Sequence, residues 1–402
     1  MKDKLRKLLL IVPVVGFLFL VPLLTLISKI PGGPLTPTAS YSVWENRTMV
    51  VFPQLTAKGF WDGSYFAGWE TALSDQFYGR DYWLKAHTRY AMLRRSASVN
   101  DVVITEETLL PQQTATDYRG RDLDAEAQEM AQGLAALRDQ VEDYGGTFLY
   151  VGVPEQRSML ESNYPNWQTT NGDYRQAMRD AFVSAMAAEQ VPFLEMKPLL
   201  EGREDLTDLY STVDHHYTLL GAYETYLAVC DRLTAAGWDF PVVTEEQITF
   251  TALPNPYLGT YNRKLYGQSP VTEPLWVCAS PMEVPFTRMD NGEEVDAEVF
   301  DLPDSTWQYV YYTAYMGGDQ AETILDTGRE DLPKVLIWGD SFTNAFESLA
   351  WMSFGEMRSI DLRYYTEKTL PQYIDEYRPD IVLCIRDDIS YLTTEGNGNL
   401  AP

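Results

Sequence analysis

The sequence predicts an α/β protein, with a mostly parallel sheet flanked by helices, a β-rich insertion and an N-terminal transmembrane helix. Three observations predict it. Short apolar runs alternate with stretches of helical periodicity, the pattern of parallel strands joined by crossover helices and covered on both faces. From about 240 to 310 that alternation gives way to Pro, Thr and aromatic residues. Leu8 to Ile27 runs twenty residues without a charge behind the basic "MKDKLRK".

The elements follow in order. About 20 apolar residues span a bilayer, and a basic flank ahead of them keeps the N-terminus inside. Residues 1–28 are therefore expected to be a cytoplasmic stub and signal anchor, with an extracytoplasmic body at the cell membrane. The alternative is secretion after signal cleavage, for which "PTAS" at 37–40 is a weak site. Residues 29–44, rich in Pro and Gly, form a linker, and 45–402 form the extracytoplasmic domain. Within it, "MAQGLAALRDQVEDYGG" (130–146) predicts a helix stopped by glycines, and "TFLYVGVP" (147–154) a buried strand. Residues 173–190 and 218–237 predict further helices, and "VPFLEM" (191–196) a strand. "ITFTAL" and "EPLWVCA" are expected as strands of the insertion. "KVLIWGDSFTNAFESLA" (334–350) predicts a strand, a tight turn and a helix. "MRSIDLRYY" (357–365) and "DIVLCIR" (380–386) predict strands around the helix "LPQYIDEY".

Composition excludes several classes. Hydrophobic residues make up 45% of the 402, enough for a real core. The net charge of −27 repels nucleic-acid phosphates, so nucleic acid is excluded as a partner, and solubility is the plain reading of the charge. Cys230, Cys278 and Cys384 form no CxxC pair, which argues against a zinc ribbon or disulfide framework. No cofactor is expected.

Candidate chemistry lies in two places. Ser341 follows an apolar strand and opens a helix, whose free N–H groups suit a developing oxyanion. From the local pattern, Ser341 or Asp340 is either a helix cap or, for the serine, a nucleophile needing a base. "DHHY" at 214–217 supplies one, and holds two of the chain's three histidines. On a locally extended segment Asp214 and His216 project to one side, so the carboxylate can hold Nδ1–H and leave Nε2 free. His215 is expected to point the other way. A metal centre needs three or four ligands, and His87, the remaining histidine, has no ligand cluster near it; no metal is expected. Asp214, His216 and Ser341 form a candidate catalytic triad. Oxyanion donors or substrate contacts are sought in the Ser341 backbone N–H, Asn344 and Arg363. Tyr217, Trp338 and Tyr364, with Tyr365, are candidate sugar contacts, core packing being the alternative.

Several motifs in one order resemble a known family. "ENR" (45–47), "FPQL" (52–55), Asp75, Phe77 and Arg80 in an Asp-x-Phe-x-x-Arg pattern, "VGVPEQRSML" followed by "NYP", "DHHYT", "YTAYMGGDQAETI" (312–324), "WGDSFTNAF" (338–346) and "DLRYY" (361–365) carry the resemblance. The chain resembles the DHHW protein family, relatives of the alginate O-acetyltransferases of the AlgX and AlgJ type in the SGNH-hydrolase-like superfamily. Tyr217 stands where the family usually has Trp, Arg157 where a lysine is common, and "CIRDD" departs from a Glu-Arg pairing. The resemblance implies an SGNH-hydrolase-like fold. It implies transfer or removal of acetyl groups on cell-envelope or exported polysaccharide, with Ser341 as nucleophile, His216 as base and Asp214 as its orienter. A membrane-bound O-acyltransferase (MBOAT) is the implied acetyl supplier. A carbohydrate acetylesterase with the same triad, or a noncatalytic polysaccharide-binding or export-complex subunit, are the alternatives.

Overall fold

The computed structural model describes residues 2–30, 35, 40–279, 282, 284–304 and 307–401, without the side chains of residues 2–10 and 13. The chain divides into two compact units, residues 1–100 with 262–269, and residues 101–261 with 270–402.

The first unit holds helix α1 (Lys2–Ser28), a short antiparallel pair (Tyr41–Ser42 with Arg47–Thr48), and helices α2 (Ala57–Trp61), α3 (Ser64–Gln76) and α4 (Arg80–Leu93). Its polar centre is an ion network. Arg47 clamps Asp75 with both guanidinium nitrogens (2.6 and 2.7 Å), and Arg80 pairs with Glu45. The "ENR" and Asp-x-Phe-x-x-Arg motifs thus hold each other, and two Arg neighbours keep the Asp75 carboxyl down at about 2 against burial. Among the described residues no helix is long and apolar enough to cross a membrane. The expected anchor falls within α1, but the side chains of its first three residues and of Pro13 lie outside the described residues.

The second unit is built on one eight-stranded sheet. Its strands are β1 (Thr147–Val153), β2 (Phe193–Glu195), β3 (Thr287–Asp290), β4 (Glu293–Val295), β5 (Glu322–Asp326), β6 (Lys334–Gly339), β7 (Glu356–Ile360) and β8 (Ile381–Asp387). The order is β4-β3-β5-β7-β6-β8-β1-β2. β7, β6, β8, β1 and β2 are parallel, and β5, β3 and β4 extend the sheet antiparallel. The predicted alternation is the parallel part. The insertion region supplies β3 and β4, and places "ITFTAL" and "EPLWVCA" in a separate antiparallel pair, Thr249–Pro256 with Pro274–Ala279.

Helices α5 (Leu123–Asp143) and α6 (Gly172–Ala188) bury Ala127, Met130, Ala131, Leu134 and Leu137, and Met178, Phe182 and Met186, at helical spacing. They share one core with Phe148, Tyr150, Leu336, Trp338, Val382 and Cys384 of the sheet. Val335 and Ile337, which alternate with those β6 residues, are equally buried, so both faces of the sheet are covered. Helix α7 (Leu219–Ala235) and helix α8 (Phe342–Ala350) pack together through Tyr226 and Phe346. Asp122 caps α5 by accepting from Ala125 N–H, and Thr218 caps α7 by accepting from Gly221 N–H.

Candidate active site

The site lies beyond the carboxyl end of β6, where an open α/β sheet places working residues. Gly339, the last residue of the strand, must be a glycine, since a Cβ there would lie 1.9 Å from the Ile385 carbonyl oxygen of β8. Asp340 then caps α8: its Oδ1 accepts from Phe342 N–H (3.0 Å), and its Oδ2 from Asp387 N–H (2.9 Å). Ser341 makes no side-chain cap bond. The two local readings therefore separate, with the aspartate as cap and the serine hydroxyl left for other work.

That hydroxyl meets His216: Ser341 Oγ lies 2.7 Å from Nε2, and His216 Nδ1 lies 2.7 Å from Asp214 Oδ1. The histidine segment is not extended as the sequence predicts. Residues 210–217 form a tight loop closed by a bridge between Tyr210 and Tyr217. Asp214 Oδ1 accepts the backbone N–H of His215 (2.7 Å) and His216 (3.3 Å), folding the chain around the carboxylate. His215 accordingly does not point away. Its Nδ1 also lies 2.9 Å from Asp214 Oδ1, and its ring centroid is 3.8 Å from that of His216.

Four groups absent from the sequence reading complete the site. Thr260 N–H donates to Asp214 Oδ2 (2.5 Å). Gly259 allows this approach, since a Cβ there would lie 2.6 Å from Val213 O and 2.9 Å from Asp214 Cβ. Tyr312 stacks on the His216 ring at 3.8 Å and 9°. Half-buried Glu273 holds the loop, accepting from Thr212 N–H and Oγ1. Asp319 joins two predicted residues: Asn344 Nδ2 donates to its Oδ1 (2.8 Å) and Arg363 Nη2 to its Oδ2 (2.9 Å). Tyr312 and Asp319 lie in the quoted "YTAYMGGDQ" segment, the one signal that pointed to them.

The electrostatics set the three groups of the loop apart. Burial works to raise the Asp214 carboxyl, but the two imidazoles overcome it and hold the group well below its usual range. Burial lowers His216 to about 4, with the charge of His215 acting in the same direction, so its ring is neutral at pH 7 and offers a lone pair at Nε2. His215 loses basicity to burial but regains more from Asp214, Glu155 and Asp387, reaching about 9. Asp214, His215 and His216 bring three potential ligand atoms within 4.8 Å of one another. Both Nδ1 atoms there are engaged by Asp214 Oδ1.

Other predicted residues fall elsewhere. Trp338 is fully buried in the core, donating to Asn397 O, and has no surface to offer a sugar. Tyr217 is equally buried, packed edge-on against Phe342 with its hydroxyl on the Phe342 carbonyl. Tyr365 is buried and Tyr364 exposed. Arg363 sits in a turn after β7 rather than on the strand, held by Asp361 as well as Asp319. Arg386, in the departing "CIRDD", is buried and donates to Ser390 O and Thr393 O, a structural clasp on the C-terminal loop.

Residues 112–301 of this chain, which include Asp214 and His216 but not Ser341, match the family model described as SGNH hydrolase-like domain, acetyltransferase AlgX. No curated protein matches by sequence. Among solved structures it is similar to Bacillus cereus PatB1, at 19% identity and a TM-score of 0.60 over 72% of this chain and 96% of that one. It is also similar to a DHHW family protein from Eubacterium siraeum DSM 15702, at 19% identity and a TM-score of 0.54 over 73% and 93%. The resemblance carried by the motifs and the comparison agree: this chain is similar to SGNH hydrolase-like domains of the acetyltransferase AlgX type, and it shares its fold with a DHHW family protein.

Proposed function

We propose that this protein is an extracytoplasmic O-acetyltransferase that places acetyl groups on a cell-envelope or exported polysaccharide. The observation that carries the reading is the continuous chain of hydrogen bonds from Ser341 Oγ through His216 to Asp214. In the first step His216 Nε2 takes the Oγ proton while Oγ attacks the acetyl carbonyl. The leaving alcohol takes that proton back, and the acetyl group stays on Ser341 as an ester. A sugar hydroxyl then gives its proton to His216 and attacks the ester; the bond from the acyl carbon to Ser341 Oγ breaks, and His216 returns that proton to Oγ, which restores the resting site. Asp214 keeps the imidazole in the Nδ1–H tautomer and stabilises its charged form. The Ser341 backbone N–H at the start of α8 is the first oxyanion donor. Asn344 and Arg363, joined through Asp319, are the further oxyanion or substrate candidates, and exposed Tyr364 is the remaining sugar-contact candidate. An MBOAT is the proposed acetyl supplier. The protein is held at the membrane through residues 8–27, or released if that segment is cleaved.

The test is turnover of an activated acetyl ester by the full chain, with and without oligosaccharide acceptors. The wild type is expected to form acetylated sugar, and Ser341→Ala to lose at least about a hundredfold in kcat. Unchanged turnover in Ser341→Ala removes the triad reading. Free acetate as the sole product at every acceptor concentration assigns an acetylesterase instead.

A further inference from the structure

The first unit is inside out. Phe66, Trp69 and Leu73 of α3 stand at i, i+3 and i+7, a spacing that turns an apolar stripe toward a core in a water-soluble domain. Here all three are exposed, while Asp75 and Gln76 of the same helix are buried, Asp75 on Arg47 and Gln76 on Lys29 and the Val50 carbonyl. Helix α4 repeats the pattern. At about 100° per residue, Tyr82, Trp83, Tyr90 and Leu93 fall within one arc of about 100°. All four are exposed, Tyr82 to 81% and Leu93 to 77%. Lys85 and Arg89 border that arc on one side and Arg94 on the other. Phe60, Phe66 and Trp61 (84% exposed) join in an aromatic cluster beside them. Among the described residues, 9 of the 31 large exposed hydrophobics lie on these three short helices. An apolar surface on that scale marks a binding face.

Charge identifies what it binds. Beyond residues 1–28 the first unit holds 10 Lys and Arg against 5 Asp and Glu, a net +5, whereas the second unit carries −35. Aromatic rings bordered by basic side chains fit the boundary layer of a bilayer. There Trp and Tyr rest at headgroup level, and Lys and Arg are drawn to an anionic surface. The −35 of the second unit is repelled by the same surface. The face is also continuous with α1, whose Phe17 packs edge-on against Trp83 at 5.2 Å.

We infer that α2, α3 and α4 form a docking face for an anionic lipid surface, seating the first unit at the headgroup level. The inference stands apart from the catalytic reading, and it does not require residues 8–27 to span the bilayer. The test uses the full chain with single spin labels at Trp61→Cys or Tyr82→Cys, and at Trp167→Cys, an exposed site in the second unit. The chain without an introduced cysteine serves as the labelling blank, and near-UV circular dichroism checks the fold of each variant. Collision rates with an aqueous nickel chelate and with oxygen are measured by EPR on vesicles of phosphatidylcholine with phosphatidylglycerol. Labels at 61 and 82 are expected to lose chelate collisions severalfold and to gain oxygen collisions, with the label at 167 unchanged. Chelate access at 61 and 82 equal to that at 167 on vesicle-bound protein overturns the inference. Protection absent on lipid vesicles but present in native membrane fragments assigns the face to a protein partner and also overturns it.

Discussion

Asp214 Oδ1 accepts from both imidazoles of its loop, and this makes the two histidines unlike. His216 is buried, lies 2.7 Å from the serine and is lowered to about 4, whereas His215 is partly open to solvent and raised to about 9. A base lowered to about 4 stays competent far into acid. The acid limb of kcat/KM for ester turnover is therefore expected well below pH 6.5, and His215→Gln should move it upward, because the neighbouring charge that depresses His216 is gone. A pH–rate profile of both proteins checks this; an unmoved limb denies His215 any electrostatic part. The Asp-His-Ser constellation was legible in the sequence because its residue types are scarce and placed on recognisable boundaries. The direction of His215 was not, because it depends on one carboxylate oxygen gathering four donors, which an extended-segment reading does not contain.

At the scale of the element, α8 and the loop at 210–217 bring Ser341 to His216 and Asp214. Asp340 caps the helix and ties it to β8 through Asp387 N–H, so Asp340→Ala is expected to cost about 1–2 kcal/mol in denaturant unfolding and to slow turnover as Ser341 loses its fixed turn. Gly259→Ala forces a Cβ into Val213 O and Asp214, and should reduce kcat more than KM by displacing the carboxylate, a split that steady-state kinetics resolves. The strands and helices of the parallel part were readable from apolar runs and helical periodicity. β3, β4 and β5 were not, since a four-residue strand such as "TRMD" has no period long enough to distinguish it from a loop. Trp338 and Tyr217 were legible as aromatics beside motifs, but only the register of β6 and the closure of the loop decide that they face the core.

Across the whole molecule, burial of carboxylates within an acidic second unit gives stability a pH slope. Burial raises Asp388 from 3.8 to about 7, and Glu155 and Asp340 shift in the same direction. A group raised in the fold keeps its proton there and loses it on unfolding. Its contribution is full below about pH 4 and is lost as pH rises through about 7. The thermal midpoint is expected to fall between pH 5 and pH 8, with a shallower slope in Asp388→Asn; an identical slope in the two proteins contradicts that source. Net charge was readable at once from composition, but its division between a basic first unit and an acidic second one needed the unit boundaries.

The proposed mechanism passes through an acetyl ester on Ser341. It is tested most directly by acid-quenching the full chain within milliseconds of mixing with an activated acetyl ester, then mapping the modified peptide by mass spectrometry. Acetyl is expected on Ser341, lost in Ser341→Ala and strongly reduced in His216→Ala. Acetyl on another residue, or none during undiminished turnover, contradicts it.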